Sequence, residues 1–417
     1  MRVVVIGAGV VGVTTAWYLA AAGHQVTVVD RQPEPGRETS YANGGQISVC
    51  HAEPWANPAA PLNALKWLGK EDAPLLWRLR ADAAQWLWGM RFLVECLPGR
   101  TRANIIALIG LGLYSRGALQ ALRRELGLDY DQLEKGILHI YTDRRDFDQA
   151  VPRAAMMTAL GCDRRVVDAD GCVTIEPALA DARQMLVGGT YTVADESGDA
   201  NAFTRILAAY CAERGVSFRM GGTVQRLLGG MDRIEGIRLA DGERIQADAF
   251  VLAAGSYTPL LLRTVGLGAR MPIYPAKGYS ITLALSDLTE APSVSLTDDG
   301  HKLVISRLGN RLRVAGTAEF CGYDLTLNRA RLAAIERRAR QIFPRLGADA
   351  LAECWAGLRP ATPGNVPMIG ATACPNLYIN SGHGTLGWTL ACGSGRLLAD
   401  LVSGRPADID PTPYRAA

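Results

Sequence analysis

The stretch "VVVIGAGVVGVTTAWYLAAAGHQVTVVD", residues 3–30, decides the fold. Arg2 to Ile6 is short and β-branched, the pattern of a strand buried on both faces. Gly7-Ala-Gly9-Val10-Val11-Gly12 follows and opens a helix expected to run to about Ala22; "HQVTVVD" is a second strand ending at Asp30, 18 positions beyond Gly12. In such a βαβ unit Gly7 permits the tight turn, Gly9 lets the backbone approach a pyrophosphate, and Gly12 lets helix and strand pack closely. The helix N-terminus faces the phosphates, and Asp30 can bond a ribose hydroxyl. Two other readings stand beside this one. A glycine-rich turn can bind nothing, and the run Val3–His24 lacks Asp, Glu, Lys and Arg, so by length it could cross a bilayer or lead secretion. Only Arg2 supplies a flanking charge, and the run divides into strand, turn and helix, which favours the nucleotide reading.

The chain has 417 residues, enough for two or three domains. With 48% hydrophobic and 20% charged residues it is globular in composition, and a formal charge of +3 implies no general field for nucleic acid. Nine cysteines are scattered without C-x-x-C spacing, so neither zinc nor a disulfide framework is expected, and no metal. A reducing, cytoplasmic compartment is the simpler expectation.

Residues 38–61 have little helical period. Residues 75–97 read as one helix from their apolar spacing, and 103–126 as another. Four of the eight tryptophans fall between 67 and 88 among Arg78, Arg80 and Arg91. A buried cap helix and an interfacial membrane helix both fit that pattern, so peripheral membrane contact by residues 65–98 stays open. A helix at about 201–214 precedes the strand "VSFRM". Residues 223–255 read as short antiparallel strands with a turn at Asp241-Gly242, ending in the apolar "ADAFVLAAG". Residues 273–318 are strand-rich with a turn at Gly309-Asn310, and a helix covers 328–342. The glycine-rich "SGHGTLGWTL", residues 381–390, opens a last helix. The chain thus begins a nucleotide-binding domain, leaves it, and returns. Arg359, beside prolines in "CWAGLRPATPGNVPMIG", could grip a carboxylate with its fork or be a surface arginine.

Together these stretches resemble D-amino-acid dehydrogenases of the small-subunit type, within the D-amino-acid oxidase and glycine oxidase superfamily. The resemblance rests on residues 3–31, "ETSYANGGQIS", "GDANAFTRILA", "YPAKGYSITL", "WAGLRPATPGNVPMIG" and "INSGHGTLGWTLACGSGRLLADLVSGR", in family order up to about residue 404. It implies an α/β protein with a discontinuous Rossmann-like FAD domain (1–70, 145–265 and 350–417) and an α+β substrate domain (71–144 and 266–349). It implies non-covalent FAD, contacted by Gly7, Gly9, Val10, Val11, Gly12, Asp30, Arg31, Thr39, Ser40, Asn43, Gly44, Gly45, Gln46, Val224, Ala254 and Gly255. Gly382, His383, Gly384, Thr385, Leu386 and Gly387 would lie against the flavin ring, their backbone amides stabilising charge on it. Arg359 matches the family's carboxylate-binding arginine, and Tyr279 is a candidate second contact.

The activity so implied is hydride transfer from an amino acid's Cα to the flavin, with electrons passed to a quinone-type acceptor. A D-proline or hydroxy-D-proline dehydrogenase, and an FAD subunit inactive without partner chains, are the alternatives. The chain departs from the family at Val49-Cys50-His51 and Glu53, where members read Pro-Gly-Tyr and alanine. His51 and Glu53 are therefore expected at the substrate, able to meet a hydroxyl or second amine, although a rim change without effect would look the same. Localisation is expected to be cytoplasmic, or peripheral on the cytoplasmic face of the inner membrane.

Overall fold

Arg2–Ile6 sits near the middle of a six-stranded sheet, with Gln25–Asp30 parallel on one side and Ala249–Leu252 parallel on the other. Ser217–Met220 and Leu377–Ser381 extend it in parallel, and Met368–Ala371 closes one edge antiparallel. The computed structural model describes residues 1–67, 71, 73–268, 271–346 and 353–416. Both faces of this sheet are covered, which is why Val3, Val4 and Val5 form an unbroken apolar run and are buried. The charge-free N-terminal stretch is thus core. It forms a strand, a turn and the helix Val10–Ala21.

One face carries Val10–Ala21, Ala200–Glu213, Pro98–Leu126 and Gly387–Val402, joined in a single core. Small residues set how closely these helices cross: a Cβ on Gly395 would come within 2.8 Å of the Thr14 backbone, and one on Gly393 within 2.7 Å of Ser115 Cβ. Pro98–Leu126 is long and apolar enough to cross a membrane by length and composition, yet Ile105, Leu108, Leu111, Leu119 and Leu122 are buried in that core. The other face is covered by a three-stranded antiparallel sheet, Val224–Gly229, Ile234–Leu239 and Arg244–Ile245. The turn at Asp241-Gly242 forms as expected, with Gly242 at φ +95°. Ala249–Leu252 does not continue this meander. Its Phe250 and Leu252 are fully buried, so it pays off only inside the parallel sheet.

A second, nine-stranded sheet runs Glu353–Ala361, Tyr274–Ala284, Arg311–Phe320, Leu303–Leu308, Ser295–Asp298, Ile137–Tyr141, Gly188–Thr192, Arg165–Asp168, with Leu75–Trp77 added alongside Arg311–Phe320. The helix Arg329–Ile342 packs through Leu332, Ile335 and Ala339 on one face. The hairpin at Gly309-Asn310 is present, Gly309 at φ +59°.

Two expectations are corrected. Residues 75–97 are not one helix: Leu75–Trp77 is a strand, and the helix is Ala83–Glu95, capped by Asp82, whose carboxylate accepts the Ala84 amide. The expected domain limits also move. Arg165–Asp168, Gly188–Thr192 and Glu353–Ala361 join the sheet of Ile137–Tyr141 and Tyr274–Ala284, so the second layer takes strands from stretches assigned to the first, while Pro98–Leu126 packs with the first.

Candidate functional site

A cleft of about 1330 Å³ lies between the two sheets. At one end, three glycines differ in what demands them. Gly7 has φ +113°, and a Cβ there would lie 2.5 Å from the Ala253 carbonyl; a Cβ on Gly12 would lie 1.9 Å from Gly7 O. Both are required by the chain itself, and Gly12 is not exposed to the cleft. Gly9 faces the cleft, and a Cβ there would meet nothing nearer than Ser40 Oγ at 3.5 Å. Val10 and Val11 begin the helix at the cleft wall, with the Val10 amide donating to Ser40 Oγ at 3.0 Å. Asp30 accepts the Ala8 amide at 2.6 Å and the Gln32 amide at 2.8 Å, so it fastens the glycine turn as well as facing the cleft. Burial raises its carboxyl pKa, and the two amides oppose this. Arg31 lies 4.0 Å over the Tyr257 ring and pairs with Glu38 at 2.6 Å. Val224, Ala254 and Gly255 complete this end.

The segment from Thr39 to Gln46 runs along the wall and is pinned to the large sheet. Thr39 Oγ1 donates to Leu358 O at 2.9 Å, Gln46 Nε2 to Ser295 Oγ at 3.0 Å, and Asn43 Oδ1 accepts the Gly45 backbone amide at 3.0 Å. A Cβ on Gly44 would press on Val304 at 2.9 Å, and Gly45 has φ +71°. From the C-terminal side come His383, Gly384, Thr385, Leu386 and Gly387; Gly382, at φ +87°, packs against Thr362 outside the lining. The expected set of amides there is narrower than residues 382–387. Gly384 N donates to Pro360 O and Leu386 N to His383 O, both at 2.9 Å, leaving the first turn of Gly387–Val402 to offer donors. His383 is a tether. Ser394 Oγ donates to Leu390 O and so accepts from His383 Nε2 at 2.9 Å, and burial pushes the imidazole down to about 3.

At the far end, Arg359 projects from Glu353–Ala361 over Gly278 of the neighbouring strand, where a Cβ would sit 2.3 Å from its Cζ. Its Nη1 donates to Thr317 O at 2.7 Å. Among the described residues no carboxylate pairs with it. Burial, with Arg331 as a second cation, lowers its pKa to about 10, so it stays charged at neutral pH without a counter-ion. Tyr279 borders the cleft but is almost wholly buried beneath Arg329–Ile342, and its hydroxyl donates to Glu319, which also holds Lys277 and Arg78. Burial and that carboxylate raise its pKa, so the hydroxyl keeps its proton, and that proton is committed to Glu319. An apolar wall of Trp55, Trp77, Trp88 and Phe320 adjoins Arg359; Trp88 Nε1 donates to Ala361 O at 2.8 Å.

His51 and Glu53 both reach the cleft. Glu53 lies 3.5 Å from Arg153, so its charge is partly answered. His51 stacks on His139 at 5.6 Å, and burial lowers its pKa to about 3. His139 was not anticipated. It is buried and neutral, donating Nδ1–H to Asp299 at 2.7 Å, with the Cys50 thiol 3.5 Å from Nε2. Burial opposes ionisation of Asp299, but the hydrogen bond from His139 and the charge of Lys302 outweigh it and hold the carboxyl well below its usual range. Strand pairing of Thr297 with His139 brings His139 to Asp299, 160 positions away in sequence.

The FAD dependent oxidoreductase family DAO matches residues 2–401. The chain is 62% identical over 409 residues to a D-amino acid dehydrogenase of Dechloromonas aromatica, covering 97% of each, and 55% identical over 410 residues to one of Paramagnetospirillum magneticum, covering 98% and 96%. Its fold is similar to glycine oxidase from Geobacillus kaustophilus (TM-score 0.79, 22% identity, 100% and 98% covered) and to L-proline dehydrogenase from P. horikoshii (TM-score 0.78, 18% identity, 100% and 96% covered). The residues present fit FAD: open space above Gly9, a helix start beside it, an acid at the end of the second strand, and a long cleft continuing to an unpaired cation. With a family match across nearly the whole length and this cleft, the chain belongs to the DAO family of FAD-dependent oxidoreductases.

Proposed function

We propose that the chain oxidises the Cα–N bond of D-amino acids to an imine, which water hydrolyses to a 2-oxo acid and ammonia, and that the electrons go to a quinone-type acceptor. The observation that carries the reading is Arg359, a charged guanidinium in the cleft with no carboxylate partner among the described residues. The close relatives' names supply the substrate class and its stereochemistry. FAD, when bound, accepts the hydride from Cα. The chain's part is to hold the substrate carboxylate on the free N–H groups of Arg359, whose Nη1 is fixed by Thr317, and to exclude water with Trp55, Trp77 and Phe320. Orientation of the Cα–H bond supplies most of the rate, with the amine's proton lost to water beforehand. Turnover of the purified chain with a D-amino acid and a dye acceptor tests this; a chain that holds FAD yet reduces dye only with partner subunits added would replace it with the dependent-subunit reading.

His51 supports a preference among side chains. Its neutral imidazole can meet a hydroxyl, whereas Glu53 is engaged by Arg153. The double replacement His51→Tyr, Glu53→Ala is expected to shift relative kcat/KM toward D-alanine by roughly tenfold, about 1.4 kcal/mol of discrimination. Unchanged ratios across a D-amino-acid panel would show this loop to be rim.

The helix Ala83–Glu95 supports peripheral docking on the cytoplasmic face of the inner membrane. Trp88 and Gln85 point inward, while Trp86, Met90, Leu93, Val94 and Leu97 are at least 49% exposed, flanked by exposed Arg80, Arg100 and Arg102. Trp86, Met90 and Leu93 also border the cleft, giving an apolar acceptor a way in. Residues 68–70 and 72 of that stretch lie outside the described residues. Replacing Leu87, Val94 and Leu97 together by serine should weaken sedimentation with anionic vesicles by about tenfold or more, from lost apolar burial, with dye-linked turnover unchanged. Equal sedimentation of both proteins would refute membrane docking here.

A further inference from the structure

We propose that the Thr317 hydroxyl is a second anchor for the substrate carboxylate, beside Arg359; this rests on the carboxylate role given to Arg359 above. Thr317 lies in the strand Arg311–Phe320 at φ +55°. A β-branched side chain is strained in that region, and strain of this kind persists where the surrounding structure imposes it for use. The register explains how it arises. Lys277 pairs with Glu319 and Tyr279 with Gly316, so one extra residue bulges from the Thr317 strand. Gly316 cannot take the turn's place with a larger residue, because a Cβ there would lie 2.5 Å from Lys302 O.

The bulge has two consequences. It aims the Thr317 carbonyl at Arg359 Nη1, 2.7 Å away. It also leaves Thr317 Oγ1 buried without a hydrogen-bond partner among the described residues, in a residue that lines the cleft. An orphaned buried hydroxyl calls for a reason. Here the adjoining group is a cation without a carboxylate, so the ligand that belongs between them is an anion. A threonine hydroxyl can donate to an anion, and Arg359 still has N–H groups to share. The carboxylate is then gripped from two directions, by the guanidinium and by an O–H on the residue that fixes it. Thr317 contacts substrate and positions Arg359 at once.

Four variants of the FAD-loaded enzyme test this. Thr317→Val keeps the branched shape and removes only the hydroxyl. Its thermal midpoint without substrate should not fall, since an unpartnered polar atom is lost, while KM for the best D-amino acid should rise about tenfold with a smaller change in kcat. Thr317→Ser should recover most of the affinity. For the α-carboxamide of the same amino acid, Thr317→Val and the native enzyme should differ less than for the acid. Adding Thr317→Val to Arg359→Met should cost much less than tenfold further, because both act on one carboxylate. Native KM in Thr317→Val, beside a strongly impaired Arg359→Met, would overturn the Thr317 role and leave Arg359 standing. A fall in thermal midpoint with KM unchanged would make the hydroxyl structural and equally overturn it. An unimpaired Arg359→Met would instead remove the carboxylate reading itself.

Discussion

Arg359→Met is expected to lower kcat/KM for the best D-amino acid by two orders of magnitude or more, with FAD still bound and the fold intact. Charge-assisted hydrogen bonds contribute roughly 1.5–3 kcal/mol, and about 1.4 kcal/mol is a factor of ten. Two features of the site push toward the upper end. The guanidinium is desolvated without a carboxylate partner, so the substrate's own carboxylate is the charge that completes it. In the Met variant that carboxylate would enter a half-closed apolar wall with its main partner gone. The fold should tolerate the change, because among the described residues Arg359 makes a single hydrogen bond, to Thr317 O, and the flat space over Gly278 accepts an unbranched chain. Arg359→Lys keeps the charge but loses the planar fork, so it should recover only part. Steady-state kinetics with a dye acceptor, together with the flavin absorption bands, decide the matter. Near-native efficiency in a folded, flavin-loaded Met variant would move the carboxylate role to another cation, with Lys302 next in the cleft.

The nucleotide half of the fold could be read from local pattern, because each of its signals lies within one βαβ unit. Gly7, Gly12 and Asp30 act on neighbours less than 30 positions away, apart from Gly7 against Ala253. The substrate half is built from long-range pairing. Leu75–Trp77 joined the apolar spacing of the helix after it, and only its partner Arg311–Phe320 makes it a strand. The one local signal, Asp82 as a helix cap, was present but outweighed by the run of apolar residues. Ile137–Tyr141 and Gly188–Thr192 had no flanking hairpin turn to mark them, since they pair across the intervening helices Arg144–Ala159 and Ala169–Ile175.

The same division holds in the site. Arg359 was legible because Pro360 and Pro363 follow it, and its strand delivers it to the cleft. Tyr279 looked equivalent in "KGYS", but its ring packs into the core and its hydroxyl is taken by Glu319, while the neighbouring Gly278 leaves the space that Arg359 fills. Fixing the face needs the register, which the motif does not contain. His139, Asp299 and Thr317 carry no motif at all. Each becomes part of the cleft through strand pairing or a bulge, and each would pass in sequence for an ordinary strand or turn residue.

Gly9→Leu is expected to give a folded protein without FAD, a loss of binding of at least about a hundredfold. The argument is one of exclusion among three glycines. Gly7 is held at φ +113° against Ala253, and Gly12 leaves no room before Gly7 O, so replacing either damages the turn itself. Gly9 caps the first helix at φ −71°, a backbone any residue adopts. Its nearest neighbour for a Cβ is Ser40 Oγ at 3.5 Å, ordinary contact. Nothing in the chain therefore requires glycine at position 9, while the cleft above it is where a pyrophosphate would approach the helix start. A leucine side chain fills that approach and replaces close backbone contact with bulk. Gly9→Ala should fall between, because one methyl group intrudes less. The apo protein should keep its circular dichroism and its thermal midpoint should match native protein stripped of flavin. The flavin bands should be absent after purification and should not return on adding FAD at concentrations that saturate the native chain. If Gly9→Leu folds and carries a full complement of FAD, the pyrophosphate does not lie at this turn, and the assignment of Val10, Val11 and Ser40 as its neighbours falls with it.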